Sequence, residues 1–248
     1  MNGYFCKIEN SNLNKIFELH NEYVFSTYEK LLPPDKKLVG KQTLNQIVDI
    51  TENSLNYNED TIKIFIEKVT KHSKINKKTK EFIDYLITNN FVPASFRIEN
   101  VEKEIEKSFL SLLPEKLKNF EIPQVQMFIV DRTTSDQTQS NRLTIHKDYG
   151  RNSTINCYFK TNGEKTILYD ALETGIQLYS REHRILTPRI YKPEWVIEKS
   201  SFVPESNEIY VLNVSKPHTV ININKYSKRI AISYSFKMSY ENLMEALQ

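Results

Sequence analysis

The chain has 248 residues, enough for one large domain or a barrel flanked by a helical layer, with a core that can enclose an internal site. Lys and Arg total 34 against 31 Asp and Glu, a formal charge of +3. The basic residues are scattered among acidic ones, so the bias of a phosphate-tracking surface is missing and no nucleic-acid partner is expected.

The first residues, MNGYFCKIENSN, lack the basic start, apolar run and small-residue cleavage site of a signal peptide. No run of about 18 apolar residues follows, so no membrane association is expected. Cys6 and Cys157 are far apart and have no CxxC spacing, which supports neither a disulfide framework nor a thiolate zinc site. A reducing compartment, and with it a cytoplasmic location, is the expectation.

Residues 1–120 read as mainly helical, and this region is expected to pack on a barrel. Leu13, Ile16, Phe17, Tyr23, Val24 and Leu31 recur at helical spacing after a polar Asn10-Ser11 start. Ile62, Ile64, Phe65 and Val69, then Phe82, Ile83, Tyr85 and Leu86, then Val101, Ile105, Phe109 and Leu113 continue the pattern. Segments 34–40 and 72–80 are polar connections. Residues 121–248 change character after Pro123, with short β-branched and aromatic runs separated by Asn, Gly, Ser, Thr and Pro. Strands are predicted at 124–131, 142–147, 153–160, 165–170, 176–180, 195–203, 208–213, 217–223 and 229–237, with an active-site loop at 132–141. The expected architecture is an α+β protein, a double-sheet jelly roll with an N-terminal helical layer. A short capped helix is expected after Ser239.

The segment Arg-Leu-Thr-Ile-His146-Lys-Asp148-Tyr-Gly carries the chemistry. Residues i and i+2 of a strand face the same way, so His146 and Asp148 present an imidazole and a carboxylate side by side. His218, in Lys-Pro-His-Thr-Val, begins another apolar strand. Two histidines and one carboxylate with open positions select iron(II) for oxygen chemistry. Arg229 shares a strand face with Ala231, Ser233 and Ser235, so its guanidinium would enter the barrel and require an anion, which a diacid's carboxylate fits bidentately.

The order His-x-Asp, then His, then Arg on strands of a double-stranded β-helix resembles the iron(II)/2-oxoglutarate-dependent dioxygenases, over roughly residues 121–238. The run around Asn156-Cys-Tyr-Phe resembles small bacterial and viral members. The resemblance implies Fe(II) at His146, Asp148 and His218, with 2-oxoglutarate and O2 as co-substrates. It places Arg229 on the 2-oxoglutarate carboxylate and Asn156 near that co-substrate. Many members carry Arg-x-Ser where this chain has Ala231. Ser233 either supplies the hydroxyl one pleat further along or the contact is absent. Substrate oxidation with release of succinate and CO2 follows from the resemblance, and a carboxylate at Asp148 implies hydroxylation over halogenation.

The other histidines have plainer readings. His20 lies on the apolar face of the first helix, His72 in a Lys-rich loop, and His183 in a charged turn. Trp195, Tyr149, Tyr158, Tyr169 and Tyr179 either line a substrate pocket or fill the core. The basic run from Arg181 to Arg189, with Lys192, either grips an acidic substrate or forms a solvated hairpin. Cys157 is expected to face the helices if Asn156 faces inward. A small-molecule substrate, an amino acid or pathway intermediate, is the leading expectation. A peptide or protein hydroxylase and a non-enzymatic jelly-roll binding module are the alternatives.

Overall fold

The computed structural model describes residues 3–31, 77, 81, 97–100, 103–118, 120, 124–131, 145–148, 150–177, 179–180, 185–186, 189–222 and 228–248. Strand β1 (Phe5–Ile8) precedes helix α1 (Ser11–Leu31). Strand β2 (Arg97–Asn100) and helices α2 (Lys103–Ser111) and α3 (Glu115–Lys118) come next. The remaining strands begin with β3 (Gln124–Asp131), β4 (His146–Lys147), β5 (Ser153–Lys160) and β6 (Lys165–Ala171). They continue with β7 (Tyr179–Ser180), β8 (Ile185–Leu186), β9 (Arg189–Ile190) and β10 (Val196–Phe202). Then come β11 (Glu208–Leu212), β12 (His218–Ile221) and β13 (Lys228–Phe236), and helix α4 (Tyr240–Leu247) ends the chain.

The strands form two antiparallel layers, a large sheet ordered β1-β11-β5-β13-β3-β2 and a smaller one ordered β10-β6-β12-β4-β9. This is the double-stranded β-helix, or jelly roll, that the strand pattern predicts. β7 and β8 pair separately.

Alternation along the central strands of the large sheet explains the layering. On one face Ile155, Cys157 and Phe159 of β5 join Ile230, Ile232, Tyr234 and Phe236 of β13. Leu13, Ile16 and Val24 of α1, Phe109 of α2, Leu117 of α3 and Leu243 of α4 complete that cluster. Each such side chain taken fully from water contributes roughly 1.5–3 kcal/mol, so the helical layer is held chiefly by this face. Cys157 sits in it as a small hydrophobe, and burial pushes its thiol pKa up. The alternate residues, Tyr158, Leu212 and Ala231 among them, pack between the sheets with Leu168 and Phe202.

The helix termini follow local chemistry. The Asn10 side chain accepts from the Asn12 and Leu13 amides at 3.1 and 3.0 Å, starting α1. Ser239 accepts from the Asn242 amide at 3.2 Å and caps α4. His20 is buried on the apolar side of α1, its Nε2 2.9 Å from Ser108 Oγ.

Several details differ from the sequence expectation. The N-terminal region contributes strands as well as helices, since β1 pairs with β11 and β2 with β3 at opposite edges of the large sheet. Four residues are too few for alternation to register; only the partner strand defines them. Of the strand expected at 142–147, only His146 and Lys147 join a ladder among the described residues. Within 176–180, Ile176 makes an isolated bridge to Ile190 and β7 covers the last two positions. The predicted helices near 62–69 and 82–86, segments 34–40 and (Lys77 apart) 72–80, the loop 132–141, His72, Tyr149 and His183 lie outside the described residues. No helix among the described residues is long and apolar enough to cross a membrane.

Candidate metal centre and anion pocket

β4 ends at Lys147 and Asp148 follows it directly; His146 Nε2 lies 3.5 Å from Asp148 Oδ1, so the two side chains project the same way. β12 lies between β6 and β4, and its register sets His218 directly opposite His146. The two imidazole centroids are 4.5 Å apart. His146 Nε2 is 3.5 Å and His218 Nε2 3.9 Å from Asp148 Oδ1. One ligand atom from each residue falls within 4.8 Å of the others. The three side chains form a facial triad that fits a single metal ion.

Its surroundings prepare the ligands. His218 Nδ1 lies 3.0 Å from the Lys216 carbonyl. A carbonyl only accepts, so Nδ1 carries the proton and Nε2 presents its lone pair to the centre. Burial, and next the neighbouring His146, push the His218 pKa down to about 4. The ring is therefore neutral near pH 7, as a ligand must be. Burial alone would raise the Asp148 pKa, but Arg151, then His146 and His218, hold it well below the usual carboxylate range.

Arg151 has a further part in this centre. Its Nε donates to Asp148 Oδ2 at 2.7 Å and its Nη1 to Ser235 Oγ at 2.8 Å, with the guanidinium 5.0 Å from the Phe128 ring centroid. Gly150, at φ +79°, makes the turn that brings Arg151 back onto Asp148. The carboxylate is thus divided, Oδ2 to the arginine and Oδ1 toward the histidines.

Deeper between the sheets lies Arg229, 7 % exposed. Its Nη2 donates to Tyr158 OH at 3.0 Å and to Thr166 Oγ1 at 3.2 Å, and its guanidinium is 4.9 Å from the Tyr158 ring centroid. Nη1 is buried with no hydrogen-bond partner, and no carboxylate among the described residues lies within ion-pair distance of this arginine. Thr166 stands two residues along β6 from Leu168, the register partner of His218. The arginine and the triad therefore share the space between the sheets. A buried guanidinium donor left unpaired is costly, and an anion arriving from solution would satisfy it.

No protein-family model matches the chain, and no curated protein matches it. Among solved structures it is similar to three of interest. A prolyl hydroxylase from Trichoplax adhaerens, in complex with a hypoxia inducible factor peptide fragment, is 12% identical with a TM-score of 0.35, covering 98% of this chain and 87% of that one. A 2OG-Fe(II) oxygenase family oxidoreductase from Burkholderia pseudomallei is 9% identical with a TM-score of 0.29, covering 67% and 62%. A vicilin from Solanum melongena is 7% identical with a TM-score of 0.30, covering 59% and 29%. These scores lie below 0.5, so function is read from the residues of this chain.

The structure brings His146, Asp148 and His218 together and turns Arg229 inward with Ala231, Ser233 and Ser235 beside it. Asn156 faces the same interior; its Oδ1 accepts from Thr154 Oγ1 at 3.0 Å, and its Nδ2 is 3.4 Å from Tyr158 OH. Ser233 is hydrogen-bonded to Thr154. The hydroxyls that meet Arg229 belong to Tyr158 and Thr166. Tyr158 is fully buried core with its OH on Arg229, whereas Tyr169 packs with Ile145, Tyr191 and Val196. Arg151, Thr166 and Tyr191 carried no role at the sequence level. The one available signal was that Arg151 follows Asp148 by three residues across a glycine.

Proposed function

We propose that this chain is an Fe(II)/2-oxoglutarate-dependent dioxygenase that hydroxylates a small molecule, releasing succinate and CO2. The observation that carries the reading is the pairing of a facial triad with a buried, half-satisfied arginine in one inter-sheet space. The residues fit both groups: His146, Asp148 and His218 would hold the iron, and the orphan Nη1 of Arg229 would take the distal carboxylate of 2-oxoglutarate. Bound there together, iron and 2-oxoglutarate supply the oxidising chemistry that activates O2 toward a substrate C–H bond.

The chain's own residues bind, orient and exclude. The Lys216 carbonyl fixes the His218 tautomer, and Arg151 fixes the Asp148 carboxylate. Tyr158 and Thr166 hold the Arg229 fork in place, so its free edge is oriented before the diacid arrives. Asn156 and Ser233 stand on the neighbouring faces of β5 and β13 and line the co-substrate's surroundings in this reading. Leu168, Phe202 and Leu212 close the interior against water.

Anaerobic calorimetry with Fe(II) and with 2-oxoglutarate, alongside succinate formation, tests the reading. His146→Ala and His218→Ala are expected to abolish iron-dependent turnover and leave the circular-dichroism spectrum intact. Arg229→Ala is expected to weaken 2-oxoglutarate binding by roughly ten- to a hundredfold, the worth of a charge-assisted bond. Arg229→Lys should fall between, since a point charge replaces a fork. Unchanged 2-oxoglutarate affinity in Arg229→Ala would make the arginine structural.

A further inference from the structure

Two of the three triad side chains rest on one turn. β11 ends in the large sheet at Leu212 and β12 begins in the small sheet at His218, so the residues between them cross from sheet to sheet. In that crossing the Val214 carbonyl accepts from the Asp148 amide at 3.3 Å, and the Lys216 carbonyl from His218 Nδ1 at 3.0 Å. The Ser215 amide donates to the Asn152 carbonyl at 3.0 Å, tying down the far end of the loop that carries Asp148 and Arg151. His146 is held within the small sheet, opposite Ile190 of β9. The conformation of this turn therefore bears on where Asp148 and His218 stand relative to His146.

Asn213 opens the turn and is 5 % exposed. Its Nδ2 donates to the Gly3 carbonyl at 2.9 Å, and its Oδ1 accepts from Ser215 Oγ. Its backbone N–H donates to the Tyr4 carbonyl at 2.8 Å, and its carbonyl accepts from the Lys216 amide at 3.2 Å. One carboxamide thus joins the segment before β1 to the middle of the turn, a donor at one end and an acceptor at the other. Buried hydrogen bonds of this kind are costly to leave unmade. A second tie runs from Lys216 Nζ to Asp170 Oδ1 at 2.9 Å, with Tyr4 OH on Asp170 Oδ2 at 2.9 Å. Both side chains of that ion pair are at least a third exposed, and such pairs contribute little. The buried carboxamide outweighs it.

We infer that Asn213 is a positioning residue for the metal centre, holding the β11–β12 turn so that the Val214 and Lys216 carbonyls keep Asp148 and His218 aimed at one ion. The inference rests on the proposed function, because it concerns the metal site of that reading. Groups that orient a ligand from behind contribute about 10–100-fold to metal affinity, and Asn213 stands one hydrogen bond further out, so the lower end applies.

The test compares the full-length wild type, Asn213→Ala, Ser215→Ala and Ile16→Ala at a temperature where circular dichroism shows them folded. Co(II) affinity is measured by calorimetry, the visible spectrum is recorded on the Co(II) protein, and hydrogen exchange of the Asp148 amide is followed by NMR on the metal-free protein. Asn213→Ala is expected to bind Co(II) about tenfold more weakly, with an altered spectrum and faster exchange at Asp148. Ser215→Ala removes only the partner of Asn213 Oδ1 and keeps the backbone bond to Asn152. It is expected to weaken Co(II) about threefold, for one hydrogen bond in place of two. Ile16→Ala, destabilised from the far face of the large sheet, is expected to match wild type in all three measurements. Wild-type affinity, spectrum or Asp148 exchange in Asn213→Ala would overturn the inference, as would wild-type affinity in Ser215→Ala should Asn213→Ala not fold. An equal loss of affinity in Ile16→Ala would also overturn it. Wild-type protein that took up no Co(II) would instead sink the proposed function, and this inference with it.

Discussion

Arg151 divides the two oxygens of Asp148, and this division sets how many positions the carboxylate can occupy on a metal. With Oδ2 tied up by a 2.7 Å charge-assisted bond, Oδ1 alone faces the histidines. Groups that orient a ligand from behind typically contribute 10–100-fold to metal affinity. Arg151→Gln is therefore expected to weaken Co(II) or Fe(II) binding by roughly that factor. The visible spectrum of the Co(II) protein should change as the released Oδ2 becomes free to coordinate. Arg151→Lys should recover part of the affinity, since the charge returns without the link to Ser235. Calorimetric affinity equal to wild type in both variants would reduce Arg151 to a surface ion pair. At this scale the triad was legible because period-two geometry places His146 beside Asp148. Arg151 was not, because its contact exists only through the turn at Gly150.

α1 and the large sheet illustrate what an element contributes apart from chemistry. Ile16 is fully buried against the helix-facing side of the sheet, opposite the face that carries Asn156 and Ser233. Ile16→Ala removes a core side chain and should cost about 2–5 kcal/mol of stability in urea denaturation. Because the sheet separates it from the site, iron affinity at 20 °C or below should be unaltered so long as the variant stays folded. A variant with weakened iron binding and unchanged stability would show that the helical layer shapes the centre. The stripe of Leu13, Ile16 and Val24 and the strands at 124–131 and 153–160 were readable because their periodicity persists over several residues. β1, β2, β8 and β9 were not. Two to four residues carry too little pattern, and their hydrogen-bonding partners lie far along the chain.

For the whole molecule, the ionisable groups set a direction with pH. Burial, with His146 beside it, lowers the folded-state pKa of His218 from 6.5 to about 4, and burial also lowers that of His20. Asp148 is likewise held low, by Arg151 against the opposing effect of burial. In each case the unfolded chain binds protons that the folded chain refuses, so stability rises with pH. The His218 contribution is fully present above pH 6.5 and is lost as the pH falls to about 4. It amounts to at most about 3 kcal/mol at 1.36 kcal/mol per pH unit. The urea midpoint of chelator-treated protein should therefore fall between pH 6.5 and 4, with a shallower fall in His218→Gln. A flat midpoint across that window in wild type would contradict the buried neutral histidine.

Local geometry determines much of this protein from the sequence outward. Alternation fixes which face of β13 meets the helices, and the His-x-Asp spacing presets two side chains of the triad before any long-range contact forms. The tertiary structure decides what depends on chain segments meeting. His218 joins His146 and Asp148 only because β12 enters the small sheet between β6 and β4. Arg229 has an orphan donor only because Tyr158 and Thr166, on other strands, satisfy one edge of its fork and no acid among the described residues reaches the other.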